Sequence, residues 1–526
     1  MTIDTTREAA CFETTRRLLT CLINEGLVDG FVQEAKGETD RRLYLRKNGS
    51  SCEDDSIVVH TTLGALIEDR NGEVLPTIQP GMLCPPVTVK CMAVEKKTAD
   101  PGEIFSLISP WFKDLASQSS GLNQVTPVQP EDIPAMLTPG ITFLSLPHSD
   151  LSVAGPFNHL LQPLLQTLEV PEASEGRTVV RCLTQQLPSI MQRFPRATIL
   201  KSVADCADAQ ASLRTLTVRP ELKFPFHLKL SLACQITSAL RTITPWSAQG
   251  EPIVTEILDR FFESNPWTFK EIASVTGSQP NFDDAKHLSC ILRDDLEQRA
   301  RTNNEVLILA AALTQSPHGT SQPYAEILFN LRTLSEKQKW FREYVECLLD
   351  LILPPLVNHG IGLEAHGQNI LARVCRETGK TKGFDVRDFG GIRLHTPTLR
   401  AQGVSFDGMF PGWAVMTKSM NDVWGKVHHS LLQNHIGFLL NALDLQRHRG
   451  WGIVRDVLEG ALKGLPDNGL YEFCMKDTIP LKCFLRMRME GKYRDYVERE
   501  VPNVLLMGSE KWEAVLASYV PSLHWT

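Results

Sequence analysis

Glu221–Pro245 reads ELKFPFHLKLSLACQITSALRTITP, and two periodicities meet inside it. Leu222, Phe224, Phe226, Leu228 and Leu230 alternate with Lys223, Pro225, His227 and Lys229, which is the pattern of a strand with one apolar face. Pro225 places that strand near an edge or a bulge. Beyond Leu230 the period lengthens. Leu232, Ile236, Ala239, Leu240 and Ile243 recur as the buried stripe of a helix, so a helix is expected here. On such a helix Thr237 and Arg241, four apart, project together from the polar side. Just upstream, ASLRT (211–215) sets Ser212, Arg214 and Thr215 in a strand-like run. Guanidinium forks match phosphate and carboxylate oxygens, and a lysine adds a point charge. The unit therefore suits an anionic substrate. The ordinary alternative for the same pattern is a solvated face of a strand and a helix.

Outward from this unit the chain is mixed. Leu18, Leu19, Leu22 and Ile23 form a helical stripe that Gly26 is placed to stop. Between about residues 40 and 100, SIVVHTTLGALI and VTVKCMAV read as short strands broken by Gly and Pro. SSGLNQVTPVQPEDIPAMLTPG (119–140) reads as a loop and a domain edge. PFNHLLQPLLQTL and RTVVRCLTQQLPSIMQRF suggest two short helices. KQKWFREYVECLLDLILPPL is a strong amphipathic helix with Phe341, Val345, Leu348, Leu349 and Ile352 on one face, ended by its two prolines, and the rest is mainly helical.

A chain of 526 residues exceeds one hydrophobic core, so two or three domains are expected. The net charge of -7 argues against nucleic acid as a general partner. The 13 cysteines include no CxxC pair, which fits free thiols in a reducing compartment. MTIDTTREAACFETTRRLL carries no signal-peptide core and no run reaches membrane-spanning length, so the expected location is cytoplasmic, with no membrane partner. ETGKT (377–381) ends like a phosphate-binding loop, but Val374 stands where that loop needs glycine. The histidines of KVHHSLLQNHIGF (426–438) have no third ligand nearby and read as structural.

ASLRT, KLSL with ITSALRTI, GIGLEAHGQN (360–369) and RDFGG (387–391), in this order, resemble the aerobactin-synthetase-like (IucA/IucC) family of NRPS-independent siderophore synthetases. The resemblance spans roughly residues 150–526. It implies an α+β fold of thumb, fingers and palm around an ATP pocket, with mixed sheets in the first two parts and a largely helical palm. The corresponding domains are 1–150, 151–335 and 336–526. The resemblance implies that Ser212, Arg214, Thr215 and Lys229 contact ATP phosphates, with Arg293 of LSCILRDD, Gln368 and Asp388 also on the nucleotide. Arg241 would bridge nucleotide and carboxylate substrate, and Thr237, His366 and Lys482 (of TIPLKCFLRMRMEG) would face the acid. Arg486 and Arg488 are weaker candidates in that segment. Glu364, Asn369 and Asp388 would hold Mg²⁺, a hard ion that takes oxygen ligands. Glu364 and Gln368 would share a face if their stretch were helical.

The implied reaction is an AMP-forming ligation. A carboxylate of citrate or a similar acid attacks the α-phosphorus of ATP, and an amine or hydroxyl then takes the acyl group. The catalytic residues would be Arg241, His366 and Lys229, and a homodimer is the assembly to look for. The family's Gly-His-Pro-x-His-Pro segment is absent; the corresponding region offers only LSLPHSDL with His148. That departure motivates the alternative of a homologue that binds a carboxylate or siderophore without adenylating it. An iron reductase, a third reading, needs clustered cysteines, whereas Cys474 and Cys483 stand alone.

Overall fold

The computed structural model describes Thr14, residues 17–34, 41–47, 56–59, 65–67 and 89–91, and nearly all of 133–519. Within that last stretch 237–238, 263–267, 318–319, 447, 467–468 and 491–496 fall outside the described residues. Helices and sheets are mixed throughout, giving the expected α+β class. The chain divides into two compact units: Met1–Gln124 with Asp444–Asp456 and Tyr471–Thr526, and Val125–Leu443 with Val457–Leu470.

In the first unit the expected helix covers residues 17–24, with Leu19, Leu22 and Ile23 buried. Gly26 ends it at φ +65°, and the Leu27 N–H returns to the Leu22 carbonyl (3.0 Å). That left-handed turn costs glycine little, which is why it serves as the stop. The strands Val28–Glu34, Arg41–Lys47 and Ser56–Val59 follow as an antiparallel meander, and Ala65–Ile67 pairs with Val89–Cys91. Thr478–Lys482 pairs with Glu498–Pro502, setting Lys482 opposite Glu498.

The second unit is organised around a six-stranded antiparallel sheet. Its order is Ala207–Ala209, Thr215–Val218, Phe226–Leu230, Ser289–Asp294, Glu271–Gly277, Leu151–Ala154. Strand alternation sorts its residues. Leu216, Leu228, Leu230, Ala273, Val275, Cys290 and Leu292 join one core with the strands Ile141–Pro147 and Arg177–Leu183 and the helix Phe157–Thr167. The other face carries Thr215, His227, Lys229, Arg293 and Glu271. The register brings them together: Lys229 lies opposite Thr215, and Arg293 lies between His227 and Glu271. Helix Pro245–Phe261 packs on that polar face.

Five expectations change. The Lys229 strand starts only at Phe226, past Pro225, and lies inside the sheet rather than at an edge. The segment after Leu230 is a hairpin, not a helix: Gln235–Ile236 pairs with Ala239–Leu240. The Leu232 N–H donates to the Arg241 carbonyl (3.1 Å), and the Arg241 N–H to that of Cys234 (2.9 Å). The β-branched Ile236, Thr242 and Ile243 favour extended backbone. Leu232 and Ile243 are buried in a hairpin as they would be in a helix, so the apolar spacing could not distinguish the two. The helix begins later, at Pro245, where Thr244 Oγ1 accepts the Ser247 N–H (3.2 Å) and proline fills the first turn. Arg177–Leu183 is a strand, with helix only over Leu187–Arg193. Ile133–Leu137 is a short helix inside the expected loop, the rest of which up to residue 132 lies outside the described residues. Pro354 and Pro355 lie inside helix Leu334–His359, which ends at Gly360 (φ +65°). Burial of Leu351, Ile352, Leu353, Pro355 and Leu356 holds the last turns despite the lost N–H bonds.

Candidate functional site

Lys229 is 2% exposed, so its face of the strand is no solvated surface. Its Nζ touches three carboxylates: Glu251 Oε2 at 2.8 Å, Glu271 Oε1 at 2.9 Å and Asp388 Oδ1 at 3.0 Å. These come from the overlying helix, the adjacent sheet strand and the RDFGG turn, the last 159 residues away. Burial alone would lower the ammonium's pKa; Asp388, Glu251 and Glu271 outweigh it and hold Lys229 above its ordinary value. Glu251 is pushed well above the carboxylate range, first by burial and then by Glu271, because one ammonium is shared among three acids. Burial would likewise raise Asp388, but Lys229, Arg214 and Arg293 hold it far below its ordinary value. Asp388 has a left-handed backbone (φ +67°), an uncommon conformation for a non-glycine residue, which turns it toward the cage.

A second layer of positive charge backs the acids. Gln210 Oε1 accepts from both Arg293 (2.8 Å) and Arg387 (2.9 Å). Burial lowers both guanidiniums, Arg387 to about 10. Arg293 also lies over the Phe269 ring at 5.6 Å. Arg214 donates to the carbonyls of Arg241 (3.3 Å) and Thr242 (3.1 Å), fastening the hairpin to the sheet. Ser212 Oγ donates to Thr215 Oγ1 (2.9 Å) and accepts the Thr215 N–H, closing the turn that Leu213 makes at φ +61°.

The third part is the turn 363–369, which is not helical, so Glu364 and Gln368 share no helix face. The Glu364 carboxylate pairs with Lys426 Nζ. Burial raises its pKa, but Lys426 and His366 win and bring it to about 2. Burial lowers His366, partly offset by Glu364 and Asp388. Asn369 donates from Nδ2 to the Glu364 carbonyl (3.1 Å), and the Gln368 carbonyl accepts from Arg387 Nε (3.0 Å). The two glycines of RDFGG fit between the carboxylates: a Cβ on Gly390 would strike Glu251, and one on Gly391 would strike Glu364.

The fold thus brings together Arg214, Lys229, Arg293 and Asp388, with Glu364 and His366 electrostatically coupled to Asp388. Ser212 and Thr215 stand at the sheet end that Arg214 leads into. Thr237 lies outside the described residues. Lys482 is in the other unit, and Arg486 there pairs with Glu490 (2.7 Å). Sequence reasoning missed Glu251, Glu271, Gln210, Arg387 and Lys426. Glu251 had a signal: it falls on the stripe of Ala248, Thr255 and Leu258, an acid in the buried row of a helix. Glu251, Glu271 and Asp388 offer oxygens within 4.8 Å of one another, a donor set suited to a hard cation. Among the described residues no group of cysteines or histidines comes together in this way.

The chain belongs to the NRPS-independent siderophore synthetase-like family. It is 40% identical to the NRPS-independent siderophore synthetase-like protein ankE of Aspergillus thermomutatus, over 99% of each chain. It is 30% identical to the NRPS-independent siderophore synthetase rfs of Rhizopus delemar, over 70% of this chain and 60% of that one. Residues 195–315 match the IucA / IucC family, and residues 338–497 match the ferric iron reductase FhuF-like transporter family. The petrobactin biosynthesis protein AsbB of Bacillus anthracis superposes with TM-score 0.70 at 17% identity, over 95% of each chain. ATP-bound aerobactin synthetase IucA of Klebsiella pneumoniae does so with TM-score 0.67 at 12% identity, over 94% of this chain and 99% of that one. No described helix is long and apolar enough to cross a membrane.

Proposed function

We propose that the protein uses ATP to adenylate a carboxylate of citrate or a related polycarboxylic acid and condenses it with an amine or hydroxyl in siderophore or related secondary-metabolite synthesis. The observation that carries this is the 3.0 Å contact of Lys229 with Asp388. It joins the phosphate-type motifs of 212–241 to the RDFGG turn, as a single nucleotide site requires. The family relation supports ATP-dependent ligation, and one relative is a D-ornithine–citrate ligase of Staphylococcus aureus, 28% identical over 56% of this chain and 51% of that one.

In this reading a substrate carboxylate oxygen bonds to the α-phosphorus and pyrophosphate leaves. The nucleophile then bonds to the acyl carbon, AMP departs, and the amine proton passes to solvent or the phosphate. Ser212, Arg214, Thr215, Lys229, Arg293 and Gln368 serve the nucleotide, and Arg241, Thr237 and His366 the acid. The oxygen donors of Asp388 and Glu364, with Asn369, suit Mg²⁺, which when bound supplies charge neutralisation for the phosphates. Lys229 and Lys426 now occupy those carboxylates, so each ammonium is poised to exchange a carboxylate for a phosphate or a metal-bound partner. The thumb, fingers and palm division, a cytoplasmic location and a homodimer complete the reading. An ATP–pyrophosphate exchange screen over citrate, 2-oxoglutarate and succinate, with and without amines, tests it. Exchange with one acid is expected, and none with any acid overturns it. Arg241→Ala should lower exchange by at least about 100-fold with thermal unfolding unchanged.

A further inference from the structure

Beyond Lys426, the KVHHSLLQNHIG run has no role in that reaction. Its first part belongs to the α-helix Met420–Val427, and His428–Ile436 continues as a π-helix, in which the Gly437 N–H reaches back five residues to the Leu432 carbonyl. Segments of this kind are rare and concentrate at functional sites. Here the geometry has a visible consequence. Residues five apart in an α-helix lie about 140° apart around the axis; the wider π turn brings Ser430 and His435 to the same neighbour. Ser430 Oγ accepts the Ala365 N–H (3.2 Å), and His435 Nδ1 meets the Ala365 carbonyl (3.0 Å). Both polar backbone groups of one residue are thereby held by one helix.

The proton positions follow from the partners. A carbonyl only accepts, so His435 carries its proton on Nδ1, and Nε2 is left to accept from the Tyr344 hydroxyl at 2.8 Å. Burial keeps His435 neutral, lowering it to about 4, as that tautomer requires. The Ser430 hydroxyl itself donates a hydrogen bond to the Lys426 carbonyl (2.8 Å). Ser430, His435, Tyr344 and Ala365 are all nearly inaccessible. Lys426, from the same helix, pairs with Glu364. Ala365 stands between Glu364 and His366 in the chain, so whatever fixes its peptide groups fixes the origin of both side chains.

We infer that Ser430 and His435, with Lys426, are positioning residues: the π-helix clamps the Ala365 backbone so that Glu364 and His366 are presented in one fixed geometry. The inference rests on the adenylation reading for what those two side chains do, but the clamp can be measured without it. The test compares His435→Ala, His435→Asn, Ser430→Ala and Tyr344→Phe with the wild type. The readouts are pyrophosphate-exchange kcat and KM, thermal unfolding, and amide hydrogen exchange of the 361–370 stretch. His435→Ala and Ser430→Ala should lower kcat about 10–100-fold, the usual cost of losing an outer support, with faster amide exchange in 361–370. His435→Asn keeps a donor for the Ala365 carbonyl and should recover most of kcat. Tyr344→Phe, one bond further out, should cost less than His435→Ala. Unchanged kcat and unchanged exchange in 361–370 would overturn the clamp. So would a loss that His435→Asn does not relieve, or a lower melting temperature with full kcat per folded molecule. If His435→Ala does not fold, Ser430→Ala and His435→Asn decide between clamp and no clamp. If the wild type shows no exchange with any acid, the adenylation reading falls, and amide exchange still decides the clamp.

Discussion

Glu251 and Glu364 are the same residue type, both held against a lysine, yet their carboxyls move in opposite directions. Glu364 has Lys426 as its own partner and falls to about 2. Glu251 must share Lys229 with Glu271 and Asp388, and it rises. Burial pushes both carboxyls up; Lys426 and His366 overcome it at Glu364, whereas at Glu251 the neighbouring Glu271 adds to it, and Asp388 on the same lysine falls because Arg214 and Arg293 reach it as well. The Lys229 cage is thus an acid-rich centre supported by guanidiniums behind it. The Glu364 pair is a balanced one. Opening the first exposes excess negative charge, which a metal ion or a basic group must answer, whereas opening the second frees one carboxylate.

Removing each lysine sharpens this difference. Lys229→Met leaves two buried acids and the half-buried Asp388 without their cation, and the stability loss at pH 7 should be about 3–5 kcal/mol. The deficit should shrink as the pH falls, because protonation relieves the repulsion. Urea unfolding at pH 5 and 7 measures it, and a deficit that stays constant with pH would break the comparison. Lys426→Met should cost less, about 3 kcal/mol. The wild-type Glu364 pair, with its carboxyl depressed to about 2, contributes stability above the ordinary carboxylate range and loses it as the pH falls from about 5 toward 2. In the variant that acid-dependent loss should shrink, since only His366 then opposes burial at Glu364; an undiminished loss would mean that Lys426 is not the main cause. The smallest effects belong to the glycines. Gly391→Ala crowds Glu364 and Gly390→Ala crowds Glu251, each costing about 1–3 kcal/mol. Only Gly391→Ala should alter the acid limb below pH 5 in thermal unfolding, and equal acid limbs would show that the two centres are not independent.

Much of the fold is legible in residue order. The alternation of Phe226–Leu230 correctly separates Leu228 and Leu230 from His227 and Lys229, because strand geometry is a local property. The long helix is equally plain from its apolar stripe, although its capped start at Thr333 and its end at Gly360 were not read. The segment 232–243 is not, since its apolar spacing fits two structures and the ladder bonds to Cys234 and Arg241 choose between them. The histidines of 428–435 read as merely structural because a π turn leaves no mark in residue order.

Residue order alone determined the polar and apolar faces of the Lys229 strand, the apolar stripe of the long helix and the set of motifs that mark the family. Tertiary structure alone decided that Lys229 is enclosed by Glu251, Glu271 and Asp388, and that one π-helix grips Ala365 from both sides. The physical reason is that periodicity follows from neighbours a few bonds apart. Charges and hydrogen-bonding groups pair by distance in space, across 22, 42 and 159 residues for this one ammonium.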